Sequence, residues 1–486
     1  MKRFGLSALV LILLLGCLGT AQATDVKMSG DAMIWAPFWS KANYTGWNAT
    51  GAKTLDTMTI WERFRLKTDY ITNENLKFRF GIRVMNRAWG NDTFTVDNPT
   101  SSIDVYLAFV QFKMPSTNIE FTVGQQDLDL PISADMLYAN PVLGITRAGA
   151  FTVKAPVNDN FSVIGSFIRF LDASPGFAPT TTAINDQIDG YLLSLPITLD
   201  GFKATPWSLL GVMGREAATA GKSVTVGISP RLYNQNLGNN LLAPATYSAP
   251  NTFLRNSLLV YWWGGTTLSV TALDPFKFYG DFVYGQGAES DRSMNKRGGF
   301  FFDVASEYTG LDFMTPQATF WYSSGEDKSI RNGSERMPVL VDNWGPSSSF
   351  LFCNSQVLTQ GYMGLNPIGS TGVAVSLDKI SFITDLKHRI TLSWATGTNS
   401  ASSIRQGNAL NGIGNYFQMG RDLTTNESEY AVNFDNQYNI YQNLVFHVET
   451  GWSHGNFQSS VWSHRFTNQT RDGDAWKVAL GIQYKF

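Results

Sequence analysis

At the end of the chain Trp476, Val478, Leu480, Ile482, Tyr484 and Phe486 share one parity, and Lys477, Ala479, Gly481, Gln483 and Lys485 share the other. That alternation predicts a β-strand with one apolar and one polar face. Aromatics at both ends of the apolar face, with aliphatics between, fit a strand whose outside touches lipid and whose rings sit at the two interfaces. An amphipathic edge strand of a soluble sheet would alternate in the same way, so the segment alone does not decide between them.

The alternation recurs upstream. Met58, Ile60, Phe64, Leu66 and Tyr70 share a face, as do Leu76, Phe78, Phe80, Ile82 and Val84 of the next segment. The opposite faces carry Arg63, Arg65, Lys67 and Asp69, then Lys77, Arg79, Gly81, Arg83 and Arg87. Both apolar sets have even numbers, so facing residues must have an even index sum and the turn an odd number of residues, about three or five. Glu62 interrupts the apolar face, and the pattern offers no reason for it. Ile119, Phe121 and Val123 alternate with Glu120, Thr122 and Gly124, and Phe276, Phe278, Phe282 and Tyr284 with Lys277, Tyr279 and Asp281.

Short polar turns and long Gly/Asn/Ser/Thr-rich loops follow one another strictly in turn. The short connections fall near 72–75, 115–118, 156–160, 199–201, 274–275, 309–312, 382–386 and 441–443. The long ones fall near 40–55, 90–102, 127–143, 172–187, 216–255, 286–296, 325–368, 399–424 and 456–472. Eight short and nine long connections predict eighteen strands, with sixteen as the competitor. The expected fold is all-β, a transmembrane antiparallel up-and-down β-barrel with short periplasmic turns and long extracellular loops. Closing the sheet satisfies every backbone group in hydrocarbon, where an open edge is costly. A secreted sandwich would rarely hold one hairpin pattern over such a length with such uneven connections.

Composition agrees. The mean hydropathy of -0.11 is that of a soluble chain, but strands that alternate between lipid and lumen average to neutral. An aromatic content of 13%, 44 glycines and only 16% charged residues suit aromatic girdles. Residues 1–23 open on Lys2 and Arg3, run through an apolar stretch and close on Ala21-Gln22-Ala23, as a secretory signal does. Residues 24–486 then form a single barrel domain. A lipoprotein site at Cys17 is the rival reading, weakened by bulky Leu15 two residues earlier. Without the signal Cys353 has no cysteine partner, and 35 Lys and Arg stand against 39 Asp and Glu, a formal charge of -4. Nothing in this balance points to nucleic acid.

The first constellation of interest is a basic wall of Arg63, Arg65, Lys67, Lys77, Arg79 and Arg83. Arg63, Arg65 and Arg83 fall near mid-height, and Lys67, Lys77 and Arg79 nearer the periplasmic end. In a water-filled lumen such a ladder attracts anions, and these cations cluster without interleaved acids; the blander alternative is a merely solvated interior. The third long loop offers opposing acids in Asp127, Asp129 and Asp135. That loop is also apolar, with Leu128, Leu130, Pro131, Ile132, Met136, Leu137 and Tyr138, so it should fold inward or against a neighbouring subunit. His388, His447, His454 and His464 lack metal-ligand spacing, and no catalytic motif accompanies them. His447 and His454, of opposite parity on one strand, should face opposite sides.

Several segments carry a family resemblance: Tyr261-Trp262-Trp263-Gly264-Gly265, Leu273-Asp274-Pro275-Phe276, Glu307-Tyr308-Thr309-Gly310-Leu311-Asp312-Phe313-Met314-Thr315-Pro316 and Phe320-Trp321-Tyr322-Ser323-Ser324-Gly325-Glu326-Asp327. Ser334-Glu335-Arg336-Met337-Pro338, Tyr438-Asn439-Ile440-Tyr441 and the closing strand extend it. Together these resemble the homotrimeric outer-membrane porins of sulfate-reducing, Desulfovibrio-type bacteria. The resemblance implies a trimer of barrels in lipid and lipopolysaccharide, each passing small hydrophilic solutes by diffusion, without a cofactor. General porins narrow at the loop after the fifth strand, here 127–143. That loop lacks the Pro-Glu-Phe-Gly-Gly run of enteric porins, which leaves 325–368 as a second candidate constriction.

The expectation is therefore a general porin with a weak anion preference, in which Arg63, Arg65 and Arg83 face Asp127, Asp129 and, as a third acid, Asp135. A sugar- or organic-acid-specific channel is the alternative, ahead of a closed barrel enzyme or adhesin. Phe486 resembles the terminal signal read by the barrel-assembly machinery, and the last strand should close the barrel against the strand beginning near Val26.

Overall fold

The computed structural model describes residues 25–486 apart from 42–43, 45–56, 91–101, 129, 174–185, 223–235, 347–348, 353–356, 359–363 and 471–473. The expected signal at 1–23, with Cys17, lies outside the described residues, as does Asp129. Twenty hydrogen-bonded segments form one antiparallel sheet. Two are continuations: Thr57–Met58 keeps the register of the strand after it, and Ile197–Leu199 that of the strand before it. The barrel therefore has eighteen strands, as the connections predicted, and not sixteen.

In chain order these are β1 (Asp25–Ser40), β2 (Trp61–Asn73), β3 (Leu76–Ala88), β4 (Asp104–Lys113), β5 (Glu120–Leu128), β6 (Thr146–Asn158), β7 (Phe161–Asp172), β8 (Gln187–Ser194) and β9 (Phe202–Gly214). The second half comprises β10 (Leu258–Val270), β11 (Phe276–Gly287), β12 (Arg297–Tyr308), β13 (Thr315–Ser323), β14 (Ser370–Ile383), β15 (Leu386–Gly397), β16 (Ser428–Tyr441), β17 (Leu444–Asn456) and β18 (Ala475–Lys485). β1 pairs with both β2 and β18, from Asp31 opposite Lys485 to Ser40 opposite Trp476, and so closes the sheet. Phe486 extends the seam: its N–H donates to Gly30 O at 3.1 Å, and Gly30 N–H donates to Phe486 O at 2.8 Å. Only glycine fits at position 30, because a Cβ there would lie 2.7 Å from the Phe486 ring.

The outer face follows the alternation. Trp476, Val478, Leu480, Ile482 and Tyr484 are exposed, while Lys477, Ala479 and Gly481 of the same strand are buried inside. Aromatic pairs ring both ends, as in Tyr70 with Phe78 (6.1 Å) and Phe276 with Tyr308 (4.8 Å) near the short turns. Phe300 with Tyr322 (5.7 Å) and Trp452 with Trp476 (6.2 Å) lie near the long loops. These are the two interfacial belts of a membrane barrel.

Turn chemistry sets the registers. In the β2–β3 hairpin Asn75 N–H donates to Asn73 Oδ1 at 2.8 Å, closing a tight turn. A bulge between Ile71 and Asn73 then restores even sums, so that Tyr70 faces Phe78 and Leu66 faces Ile82. The odd spacing expected from parity is thus met by a short turn plus one bulged residue. A second bulge pairs Glu62 with Arg87, which puts Arg87 on the side of Glu62 and not on the lumen face that parity had given it. Glu62 Oε2 in turn accepts from Trp89 Nε1 at 3.0 Å, which accounts for the break in the apolar face.

Candidate functional site

The lumen is organised by loops that enter it. The apolar loop after β5 does fold inward, burying Leu130, Ala134, Met136, Leu137, Val142 and Leu143. Ser133 reaches β11, its backbone N–H and Oγ donating to Asp281 Oδ2 at 3.2 and 2.7 Å. A loop rooted between β5 and β6 thus spans the interior. The 324–369 loop meets it there: Tyr138 N–H donates to Gly345 O at 2.8 Å, and Leu340 N–H donates to Val142 O at 2.7 Å. The two candidate constriction loops are therefore joined, and neither acts alone.

Behind them the upper lumen along β9–β17 is filled by buried side chains. Trp344 packs against Phe301 (5.0 Å), Trp321 (5.5 Å) and Phe352 (5.5 Å). Phe350 lies on Gly451 of β17, where a Cβ would come within 2.7 Å of the ring. Two buried ion pairs tie the 324–369 loop to the 398–427 loop: Arg336 with Asp422 at 2.7 Å, and Arg421 with Asp342. Arg297 at the top of β12 donates to the carbonyls of Asn239 and Leu242, each at 2.9 Å, joining the 215–257 loop to the same core. Burial pushes Glu326 of this core up to about 7, against the opposing pull of Arg336 and the Ser334 hydroxyl. Burial would raise Asp422 too, but Arg336 and Arg421 outweigh it and hold the carboxyl below its ordinary value.

The opposite wall is different. Cross-strand register sets Arg65 beside Arg83, Lys67 beside Gly81 and Asp69 beside Arg79, so β2 and β3 carry the basic residues in adjacent rows. The expectation that no acids interleave needs correction. Asp31 on β1 binds Arg63 at 2.8 Å and Arg65 at 2.5 Å, and Asp69 grips Arg79 through both oxygens at 2.6 Å. Asp31 went unread because its place opposite Arg65 depends on the register of β1 against β2 across a long loop. Lys67, Lys77 and Arg83 form no ion pair among the described residues, and all three are half-buried.

The loop acids do not form the facing row expected of them. Asp127 is a residue of β5, paired with Arg147 of β6 at 2.6 Å. Arg147 lies 5.2 Å from the Tyr106 ring centroid, and Arg83 lies 5.5 Å from the same ring. Asp135 lines a cavity against β9–β15, away from Arg63, Arg65 and Arg83. The reason is the reach of the loop, which carries residues 130–137 past mid-lumen before they meet a wall. Tyr106 and Arg147 were not foreseen; Tyr106 is the extra residue of a bulge in β4, which parity cannot anticipate. His447 faces inward and His454 outward, the latter 2.7 Å from Asp474.

No family model matches the chain, and no curated protein matches it. Solved structures do. A BenF-like porin from Pseudomonas fluorescens Pf-5 superposes with a TM-score of 0.52 at 10% identity, covering 95% of this chain and 98% of that one. The fold is that of the outer-membrane porins. Pseudomonas aeruginosa OccK2 (OpdF), solved in complex with glucuronate, gives a TM-score of 0.50 at 10% identity over 95% of this chain and 98% of that one. OprD from the same organism gives 0.50 at 10% identity over 94% of each. At such identities the porin likeness is one of backbone, and the side chains that line the lumen are this chain's own.

Proposed function

We propose that this protein is an outer-membrane channel through which small hydrophilic solutes diffuse, with a preference for anions, and that it is not an enzyme. The observation that carries the reading is the contrast inside the barrel. One wall presents half-exposed Arg63, Arg65, Lys67, Lys77 and Arg83, while the upper part of the other is sealed by loops. A solute crossing such a lumen runs along the basic wall, where like charges raise the local concentration of anions. Cleavage of residues 1–23 belongs to the same proposal on their signal-like pattern, and contact with lipopolysaccharide, assembly as a homotrimer and kinship with the porins of sulfate reducers belong to it on the sequence resemblance.

Single-channel recording in planar bilayers tests it, and the absence of stable conductance would sink it. In a salt gradient Arg63→Gln, Arg65→Gln and Arg83→Gln together should move the reversal potential towards cations; an unchanged potential rejects the charge role. A solute-specific channel is the second reading, favoured by how much of the lumen the loops fill.

A further inference from the structure

The far wall holds a second feature, a cavity of about 660 Å³ roofed by the tip of the loop after β5 and walled by β9 to β15. Lys277 with Glu307 and Asp378 with Arg389 are paired, Lys203 and Lys379 form no ion pair among the described residues, and with Asp135 the three acids nearly balance the four bases. Glu307 accepts from Tyr279 Oη at 2.8 Å, from Lys277 Nζ at 3.3 Å and from Gln317 Nε2 at 3.4 Å. Asp378 holds Arg389 at 2.7 Å. Paired ions present fixed dipoles to a solute and little net charge, unlike the basic wall across the lumen.

Four of its hydroxyls, in contrast, are unspent. Thr205 on β9 faces Thr267 on β10, Lys203 faces Ser269, and Thr271 continues the same parity just beyond β10. None of these four hydroxyls makes a side-chain hydrogen bond among the described residues. Elsewhere on the inner wall hydroxyls are used: Ser376 with Thr391 at 2.9 Å, and Trp321 Nε1 to Ser370 Oγ at 3.1 Å. Each free hydroxyl can donate once and accept twice, in a row with the two-residue spacing of a strand. Above them Ile132 and Met136 supply an apolar edge, and Ser133 pins the roof to Asp281.

The geometry points to a binding site for a polyhydroxylated solute of sugar type in this cavity, with Thr205, Thr267, Ser269 and Thr271 as its hydrogen-bonding rack. Neutral donors and acceptors in a repeating row match a ring of hydroxyls better than they match a point charge, and the volume lies within the range of small-molecule sites. The site is a stop within the channel proposed above, and so rests on that reading for its place in transport, but binding is measured apart from conduction.

The test uses the full-length protein in detergent with equilibrium dialysis of radiolabelled glucose and sucrose, alongside sugar block of the potassium chloride current in bilayers. The combined variant Thr205→Val, Thr267→Val and Ser269→Ala keeps side-chain volume nearly constant. It should weaken sugar binding and block by about tenfold or more while leaving reversal potential unchanged. Arg63→Gln with Arg83→Gln should do the reverse. Ser269→Ala alone, with a smaller loss in the same direction, guards against misfolding of the triple variant. A wild-type protein that binds neither sugar, or single and triple variants that bind as the wild type does, overturns the site. Sugar binding without any conductance would keep the site and discard the channel.

Discussion

The two walls of this barrel are built from the same alternating strands and end in opposite states. Along β2 and β3 the inward residues are mostly long and cationic, and they stay half-exposed; along β9–β17 the upper inward residues include Trp263, Phe301, Trp321 and glycines that accept incoming loops. The difference lies in what each wall is given to bury. Apolar loops with Trp344, Phe350 and Phe352 can pack only where the wall offers rings and small residues, because a guanidinium row would be stripped of water there. The lumen is thus partitioned by ordinary core packing, and the space along the basic wall is what the packing leaves.

Breaking the sealed side should give the largest effect. Arg336→Ala leaves Asp422 buried beside Arg421 alone, and removal of one member of a buried pair costs about 3–5 kcal/mol. The loops should loosen, read as faster hydrogen exchange across 324–369 and larger, noisier conductance, with the β2–β3 hairpin unaffected. Equal protection in variant and wild type would show that the apolar contacts suffice without the ion pair.

A pH titration sharpens the same contrast. Glu326 has a folded value of about 7 against 4.5 for an ordinary glutamate, so the folded loop holds the proton more tightly than the open one. Its contribution is full below the unfolded value and is lost by about pH 7, so opening should increase by up to about tenfold per pH unit between about 4.5 and 7 and level off above. Asp422, held below its ordinary value of 3.8, acts in the other sense: its contribution is present above that value and is lost only as pH falls through the lowered one. Loop protection followed by exchange should therefore decline from about pH 4.5 to about 7 in the wild type, level off above that, and stay flat across the same range in Glu326→Gln. A decline that persists in Glu326→Gln would assign it to another group.

The smallest effect concerns the basic wall itself. Asp31 neutralises part of Arg63 and Arg65, so Asp31→Asn should raise anion preference by a few millivolts of reversal potential, opposite in sign to the arginine substitutions. A shift towards cations would mean that Asp31 chiefly holds the arginines in place and does not offset them. Asp31 is buried beside two partly exposed arginines, so its loss should cost more than the roughly 0–1 kcal/mol of a surface pair.

Much of this architecture was legible in the chain. Parity assigned the lipid face of β18 and the inward face of β11 correctly, and the alternation of short and long connections counted the strands, because a strand's period of two and a turn's composition are local properties. Bulges at Ile71, Glu62 and Tyr106 were not legible, since an inserted residue leaves local composition unchanged and shows only in how neighbours pair. The basic row on β2 and β3 could be read from two adjacent strands. Its neutralisation by Asp31 could not, because Asp31 reaches Arg63 only through pairing of the first two strands across a long loop.

By itself, then, the sequence determined the number of strands, their faces, their orientation and the hairpins that join them, all set by periodicity and turn chemistry within a few residues. Only the tertiary structure decided which wall the loops meet, that 130–145 crosses to Asp281, that Asp135 ends on the far wall, and that two loops meet to seal one side. Those outcomes depend on contacts between residues far apart in the chain, such as Ser133 with Asp281 and Arg336 with Asp422. No local pattern encodes them; they follow from which apolar surfaces the closed barrel leaves available to bury.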